Sequence, residues 1–161
     1  MRPAADKLRD ADAARETVAA WRAAGLRVVL ANGVFDLLHV GHVRYLEDAR
    51  AQGDRLIVAL NGDAGTARMK GAGRPVLAAS ERAALVAALR CVDAVVVFEE
   101  LTADAILERL GPHVHAKGTD YRVDSVPERA TAERTGVQTV ITGDPKQHSS
   151  RELVERIRER L

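Results

Sequence analysis

Short runs of Val, Leu and Ile recur along the chain, and they constrain its fold more than any other feature. Four of them read RVVLAN (27–32), RLIVAL (55–60), DAVVVF (93–98) and QTVITG (138–143). None alternates clearly between apolar and polar residues, which is typical of strands covered on both faces. A fifth run, HVHAKG (113–118), has the weakest strand pattern of the set.

Helical patterns separate these runs. They read DAARETVAAWRAAG ending at Gly25, HVRYLEDARAQG ending at Gly53, SERAALVAALR, TADAILERLG with Thr102 as its N-cap and Gly111 at its end, a polar helix near 125–136, and a last helix from Ser150. Because parallel strands need crossovers and helices supply them, we predict an α/β fold with a doubly wound, Rossmann-like parallel sheet of five strands. We expect a single domain over residues 1–161, with 1–25 as an N-terminal helical extension.

Composition narrows the possible functions. The 161 residues carry a net charge of +1 and only 3% aromatic residues, so no strong field or stacking platform indicates nucleic-acid binding. The N-terminus lacks the apolar core of a signal peptide and no segment reaches membrane-spanning length, so we expect a cytoplasmic protein without membrane contact. Cys91 is the only cysteine, so the chain has no internal disulfide, and we interpret Cys91 as a packed apolar side chain.

In doubly wound sheets, ligands bind beyond the carboxyl ends of the strands. The first such segment, NGVFDLLHVGH, places His39 and His42 three residues apart where a helical pattern begins. Both imidazoles then share one face of a helix N-terminus, which is a natural phosphate site. Two alternatives are a zinc pair and ordinary capping histidines, and no third ligand with matching spacing supports zinc.

Six residues of this segment read G-x-F-D-x-x-H-x-G-H, namely Gly33, Phe35, Asp36, His39, Gly41 and His42. This pattern resembles the signature of the cytidylyltransferase-like nucleotidyltransferases, within which the chain most resembles the bacterial heptose 1-phosphate adenylyltransferases. The stretches GDRLIVALNGD, GRPVLAASERAALVAAL, VDAVVVFEE and KGTDY extend the resemblance in the right order over most of the chain.

The resemblance implies attack of a substrate phosphate on the α-phosphorus of a nucleoside triphosphate, with release of pyrophosphate. The nucleophile is already an anion, so the protein supplies alignment and counter-charge rather than a base. His39, His42 and Lys70 would be catalytic. Mg²⁺ would accompany ATP or CTP and bind mainly through the triphosphate, without metal ligands from the protein.

The same resemblance implies the binding residues. Those for the nucleotide are Asn32, Gly33, Val34, Phe35, Gly41, Arg82, Lys117, Gly118, Ser149 and Ser150; those for the acceptor are Asp36, Asn61, Asp63, Asp120 and Tyr121. Thr119 replaces a glycine of the relatives' K-G-G-D-Y, and Arg151 replaces a hydroxyl residue after Ser150. Lys146 and His148 would add positive charge beside the nucleotide.

Several of these residues have simpler interpretations. Asp36 is also compatible with a helix-entry acid, Asn61 with a turn, Lys70 with a solvated loop lysine, and Arg74 and Arg82 with surface arginines. Ser149 and Glu152 form an S-x-x-E capping box, which is compatible with a phosphate site beside it. We interpret His113 and His115 as structural, and Trp21 as a core or interface residue.

The sequence therefore predicts a nucleotidyltransferase, with ATP and heptose 1-phosphate favoured as substrates. Cytidylyl transfer to a polyol phosphate such as glycerol 3-phosphate is the alternative within this class, and a nucleotide-binding regulator without turnover is the alternative outside it. The Ala-rich helices leave room for a homodimer interface.

Overall fold

The computed structural model describes residues 3–145 and 149–161. The strands are β1 Leu8–Arg9, β2 Val28–Gly33, β3 Arg55–Asn61, β4 Ala94–Phe98, β5 Val114–Gly118 and β6 Gln138–Thr142. The helices are α1 Ala11–Ala23, α2 Val40–Ala51, α3 Asp63–Lys70, α4 Ala79–Ala88, α5 Asp104–Leu110, α6 Arg129–Thr135 and α7 Ser150–Arg158. Two 3-10 turns, Ala5–Lys7 and Val123–Ser125, complete the regular structure of the described residues.

All strands pair in parallel, in the order β1-β4-β3-β2-β5-β6. The α/β doubly wound prediction is therefore confirmed, but the prediction of five strands is wrong because the sheet has six. The extra strand β1 has two residues and pairs Leu8 with Val95. A strand this short on the sheet edge, with Leu8 exposed, leaves no apolar run in the sequence.

Alternate residues of the central strands point into two cores. On one face, Leu46 of α2 and Val86 of α4 cover Val29 and Val58. On the other face, Val28, Leu30 and Ile57 meet α1, α5 and α6. Burial on both faces explains why these strands read as continuous apolar runs. The segment 1–25 contributes β1 and α1, and α1 belongs to the second core because its Ala14 and Val18 are fully buried.

Some helix boundaries differ from the prediction. Ala103, and not Thr102, is the N-cap of α5, because Thr102 instead donates its hydroxyl hydrogen to Asp104. The polar helix expected near 125–136 is divided into the turn Val123–Ser125 and α6. The helix α3, in a region interpreted as a turn and loop, was not expected. Among the described residues, no helix is both long and apolar enough to cross a membrane.

The strand order reverses between β2 and β5, the two neighbours from which the chain winds in opposite directions. At such a switch point, the loops beyond the carboxyl ends of the two strands separate and leave a crevice. Here β2 ends at Gly33 and β5 ends at Gly118. We call this region, together with the start of α2, the crevice.

Candidate active site

The turn from β2 into α2 carries local backbone strain. Phe35 and Leu37 both have a φ of 52°, a left-handed conformation that bulky residues rarely adopt. Such residues cost of order 1–3 kcal/mol each and cluster at functional sites. Among residues 33–39, the positive φ values fall on these two residues and not on Gly33. A Cβ at Gly33 would lie 3.1 Å from the Phe35 ring, so a side chain at this position would require the ring to shift.

His39 and His42 are brought together at the start of α2, as predicted. His39 is the N-cap, in an extended conformation, and its ring stacks on that of His42 with 3.8 Å between centroids. The Phe35 ring meets His42 edge-on at 5.3 Å. The backbone N–H of His39 donates to His42 Nδ1 at 3.4 Å.

That hydrogen bond fixes the tautomer of His42. Because Nδ1 is the acceptor, a neutral imidazole carries its proton on Nε2. Burial, followed by the charge interactions with His39 and Lys70, lowers the pKa of His42 to about 4, and Asp36 only partly opposes this shift. At neutral pH, His42 is therefore an uncharged donor held beside the unpaired N–H groups that begin α2.

Asp36 is buried and acts as an anchor for the loop between α3 and α4. Its carboxylate accepts hydrogen bonds from the backbone N–H groups of Val76 and Leu77, at 3.0–3.2 Å, and from Arg74 at 2.8 Å. Burial opposes ionisation, but the Val76 hydrogen bond and the Arg74 contacts prevail, so the pKa of Asp36 is lowered. Asp36 therefore holds the turn after β2 against the loop between α3 and α4. Arg74 takes part in this contact and does not merely cover the surface.

Arg82 is not the exposed helix arginine considered as an alternative, because it is fully buried. Its guanidinium donates to the carbonyls of Leu77, Val34 and Asn61 at 2.6–2.9 Å. It also forms a 2.7 Å ion pair with Asp63 at the start of α3. Arg82 therefore joins the loops after β2 and β3, and a direct contact with the nucleotide stays a prediction.

Lys70 is the last residue of α3 and is exposed, so its ammonium group is not held inside the protein. It is near enough to the histidine pair for its charge to lower the pKa of His42. Both facts are compatible with the predicted approach of Lys70 to a bound phosphate.

On the β5 side of the crevice, some of the residues that lie together were predicted from the sequence as site residues and others were not. Lys117 is buried, forms a 3.2 Å ion pair with Glu128, and lies 4.6 Å from the centre of the Tyr121 ring. The Asn32 side-chain oxygen accepts from Lys117 and contacts His115 Nε2. Sequence reasoning missed Glu128, which stands in the polar segment before α6 and gives no local signal of its burial.

Two more contacts connect the loop after β5 to the loop after β6. The Thr119 hydroxyl donates to the Asp144 carbonyl at 2.8 Å, and the Asp144 carboxylate pairs with Arg44 of α2 at 3.0 Å. The threonine that replaces a glycine of the relatives' motif therefore adds a hydroxyl contact at the edge of the crevice. Asp120 and Tyr121 follow it on the exposed surface.

Another unpredicted contact lies beneath the crevice. The Tyr45 hydroxyl of α2 donates to the Ala116 carbonyl of β5 at 2.8 Å, and burial raises the pKa of Tyr45. Gly143 packs against the Tyr45 backbone, where a Cβ would lie 3.2 Å from the Tyr45 Cα. These contacts fix α2, and with it the histidine pair, against the sheet.

Ser149 forms the predicted capping box of α7. Its hydroxyl accepts from the Glu152 backbone N–H at 3.2 Å, and the Glu152 carboxylate accepts from the Ser149 N–H at 2.9 Å. Ser150 is the first residue of the helix. Lys146 and His148 lie outside the described residues, so their expected charge beside the nucleotide stays a prediction.

The described residues contain no cluster of three or more His, Cys, Asp or Glu side chains that could hold a metal ion. A cavity of about 420 Å³ lies outside the crevice, where Arg122 and Arg129 are paired with Asp124 and Glu133. His113, expected to be structural, accepts a hydrogen bond from the Val28 N–H at 3.0 Å.

The chain is similar in sequence to known proteins. "Bifunctional protein HldE" of Mesorhizobium japonicum is 48% identical over 84% of this chain, and that of Geotalea uraniireducens is 46% identical over 94%. The matches cover 27% and 31% of those proteins, so the chain spans about a third of the length of these relatives.

A solved structure, described as the lipopolysaccharide core biosynthesis protein from Thermoplasma volcanium, matches with a TM-score of 0.65 and 30% identity. The match covers 76% of this chain and 100% of that one. The profile of the cytidylyltransferase-like family matches residues 30–157, which include the crevice and every predicted site residue. The chain therefore belongs to the cytidylyltransferase-like family of nucleotidyltransferases.

Proposed function

We propose that this protein transfers AMP from ATP to a sugar phosphate, with heptose 1-phosphate as the acceptor, and releases pyrophosphate. The observation that carries the proposal is the stacked pair His39 and His42 at the start of α2, with the proton of His42 held on Nε2. The motif resemblance, together with relatives named HldE that match most of the chain, supports the choice of substrates.

The reaction follows from the charges involved. An oxygen of the acceptor phosphate forms a bond to the α-phosphorus of ATP, and the bond from that phosphorus to the α,β-bridging oxygen breaks. Pyrophosphate leaves with the electron pair of that bond. No proton is abstracted, because the attacking oxygen is already ionised, so the residues act by alignment and by stabilising negative charge.

The described groups divide this task between them. The Nε2–H of His42 and the first N–H groups of α2 donate to phosphate oxygens, while Lys70 contributes a positive charge from an exposed, adaptable position. Asp36 and Arg82 keep the surrounding loops in place. Mg²⁺, bound through the triphosphate, would neutralise part of its charge.

The remaining predicted contacts belong to this proposal. Asn32, Lys117 and the first residues of α7 would bind the nucleotide, and Asp120 and Tyr121 the acceptor. We expect a cytoplasmic reaction, where ATP is available, and a homodimer. The structure described as a lipopolysaccharide core biosynthesis protein is compatible with a sugar acceptor.

A pyrophosphate-release assay tests the proposal. ATP and CTP are each combined with heptose 1-phosphate and with glycerol 3-phosphate, and we expect turnover mainly with ATP and heptose 1-phosphate. Turnover restricted to CTP and glycerol 3-phosphate would replace the proposed substrates with the alternative pair, which the relatives do not favour. Tight ATP binding without pyrophosphate from any acceptor would indicate a nucleotide-binding regulator.

A further inference from the structure

The side chain of Asn32, at the end of β2, is held from the neighbouring strand β5. Its Oδ1 lies 2.9 Å from His115 Nε2 and 3.4 Å from Lys117 Nζ. His115 is fully buried, whereas Asn32 is partly exposed at the crevice. A fully buried histidine of β5 therefore contacts the side chain of a residue that is partly exposed at the crevice.

The identities of the two partners determine the orientation of the Asn32 amide. The Lys117 ammonium group has only donors, so the atom that faces it is the amide oxygen. His115 then donates its Nε2–H to the same oxygen. Within residues 3–145 and 149–161, no hydrogen bond engages the Asn32 amide nitrogen, so its two N–H donors remain available to a ligand.

The position of Lys117 is also fixed by its other contacts. Lys117 forms its ion pair with one oxygen of the buried Glu128, at 3.2 Å, and the other oxygen of Glu128 accepts from the Ala103 backbone N–H at 3.0 Å. Lys117 therefore has little freedom to move away from Asn32. The Asn32 oxygen is held between two donors that are themselves positioned by β5.

A histidine that served only as packing would not need this contact. The His115 ring is in a fully buried position, and its Nδ1 has no hydrogen-bond partner among the described residues, so its Asn32 contact is its one hydrogen bond there. Burial, which outweighs the opposing charge of Glu128, lowers the pKa of His115 to about 4. The neutral ring has one proton, and Nε2 is where Asn32 requires it.

We propose that His115 is a positioning residue: its Nε2–H locks the Asn32 amide so that the amide nitrogen donates to an acceptor atom of the bound nucleotide. This inference rests on the proposed function, because it takes a nucleoside triphosphate as the ligand of the crevice. It assigns to His115 an effect on nucleotide affinity that passes entirely through Asn32.

The test measures ATP affinity by calorimetry in the absence of acceptor, so that no turnover is needed. His115→Leu has similar bulk and no donor, and we expect it to weaken ATP binding about fivefold to tenfold, the effect of one hydrogen bond. His115→Gln places an amide N–H at a reach similar to that of Nε2 and should restore most of the affinity. His113→Gln, a change in the other histidine of this segment, is the matched control and should bind ATP like the wild type.

A double variant separates positioning from packing. In an Asn32→Ala background, His115→Leu should cause no further loss of ATP affinity, because the residue on which it acts is gone. An equal loss in both backgrounds, or wild-type affinity in His115→Leu, would overturn the inference. Absence of ATP binding to the wild type would instead count against the proposed function.

The wild-type protein gives a second measurement that does not depend on any variant folding. Nitrogen-15 NMR of the histidine rings should show His115 protonated at Nε2 and not at Nδ1, and the Asn32 side-chain amide signals should shift when ATP is added. A proton on Nδ1, or Asn32 signals unchanged by saturating ATP, would contradict the proposed positioning of the Asn32 amide by His115.

Discussion

Arg82 and Asp36 lie beside the crevice, and both are bonded mainly to the protein itself. Arg82 donates to three backbone carbonyls and to Asp63, and Asp36 accepts from two backbone N–H groups and Arg74. A buried charge is tolerated only when its hydrogen bonds are satisfied in this way. At the residue scale, these side chains therefore fix the loops that the histidines need.

Substitution Arg82→Lys tests this role. Lysine cannot reproduce the planar set of donors, so carbonyl groups among Leu77, Val34 and Asn61 lose their partners inside the protein. We expect the free energy of unfolding to fall by about 2–4 kcal/mol in urea denaturation. The control Arg134→Lys, in an exposed ion pair with Glu108, should change little. Equal effects of the two substitutions would contradict the assigned role of Arg82.

The residue scale also shows the limits of sequence reasoning. The pair His39 and His42 was found from its spacing, because a helix brings residues three apart onto one face. The burial of Arg82 and the contact of His115 with Asn32 were not found from the sequence. Arg82 donates to a carbonyl 48 positions away in the chain, and His115 contacts a side chain 83 positions away. Such contacts leave no local pattern in the sequence.

At the scale of elements, α7 depends on its capping box more than the other helices do, because none of its described residues is buried. Ser149→Ala should weaken the helix by about 1 kcal/mol, whereas Ser149→Asp preserves the cap. If Ser149 also lies beside the triphosphate, Ser149→Asp should retain the helical carbon chemical shifts of α7 but bind ATP at least several-fold more weakly. Unchanged affinity in Ser149→Asp would restrict Ser149 to capping.

The loop before α4 is held by the carboxylate of Asp36. Asp36→Asn removes the charge that receives the N–H groups of Val76 and Leu77, so these two amides should exchange with deuterium faster. Asp54→Asn, which alters a similar carboxylate contact to the Arg27 backbone N–H at 2.7 Å, is the control. Exchange at Val76 and Leu77 that responds equally to both substitutions, or to neither, would show that Asp36 is not their anchor.

The boundaries of the strands and helices show which elements are determined by their own local sequence. The five apolar runs predicted β2 to β6 within a residue or two. In β2 and β3, burial on both faces requires continuous apolar sequence, whereas the edge strand β6 is only partly buried. The strand β1 was missed, since two residues on a sheet edge form strand through their partner β4 and not through their own pattern. The cap of α5 was misplaced by one residue because Thr102 donates its hydroxyl hydrogen to Asp104, two residues on, instead of capping the helix.

At the scale of the whole molecule, the doubly wound topology makes the candidate site possible. The reversal of strand order brings the ends of β2 and β5 together, with Asn32 and Lys117 on adjacent strands and the start of α2 above them. Residues from distant parts of the sequence thereby share one crevice. The sequence predicted that ligands bind beyond the carboxyl ends of the strands, because that rule needs only a doubly wound parallel sheet. The strand order that places β2 beside β5 was not predicted and comes from the structure.

Burial of His42 and His115 also makes the stability of the molecule depend on pH. The pKa of each is lowered from 6.5 to about 4 in the folded state, so between these values the unfolded chain binds more protons. The free energy of unfolding should therefore rise with pH through this window and fall on acidification. His115 alone should contribute about 2–3 kcal/mol to the change.

Urea denaturation of the wild type and of His115→Gln at pH 7 and pH 4 measures this contribution. The variant lacks the titrating ring, so its loss of stability on acidification should be smaller by that amount. Identical losses in the two proteins would mean that His115 titrates normally in the folded state, and would contradict its burial as a neutral ring.

In the proposed reaction, the Nε2–H of His42, fixed at the start of α2, stabilises negative charge on the reacting phosphates. The most direct test compares the kcat of His42→Asn and His42→Gln with ATP and heptose 1-phosphate. Asparagine can accept the His39 N–H yet places no donor at Nε2, whereas glutamine carries an amide that reaches that position. We predict that His42→Asn loses about 100-fold or more in kcat and that His42→Gln loses clearly less. A wild-type kcat in His42→Asn would contradict this role of the His42 Nε2–H.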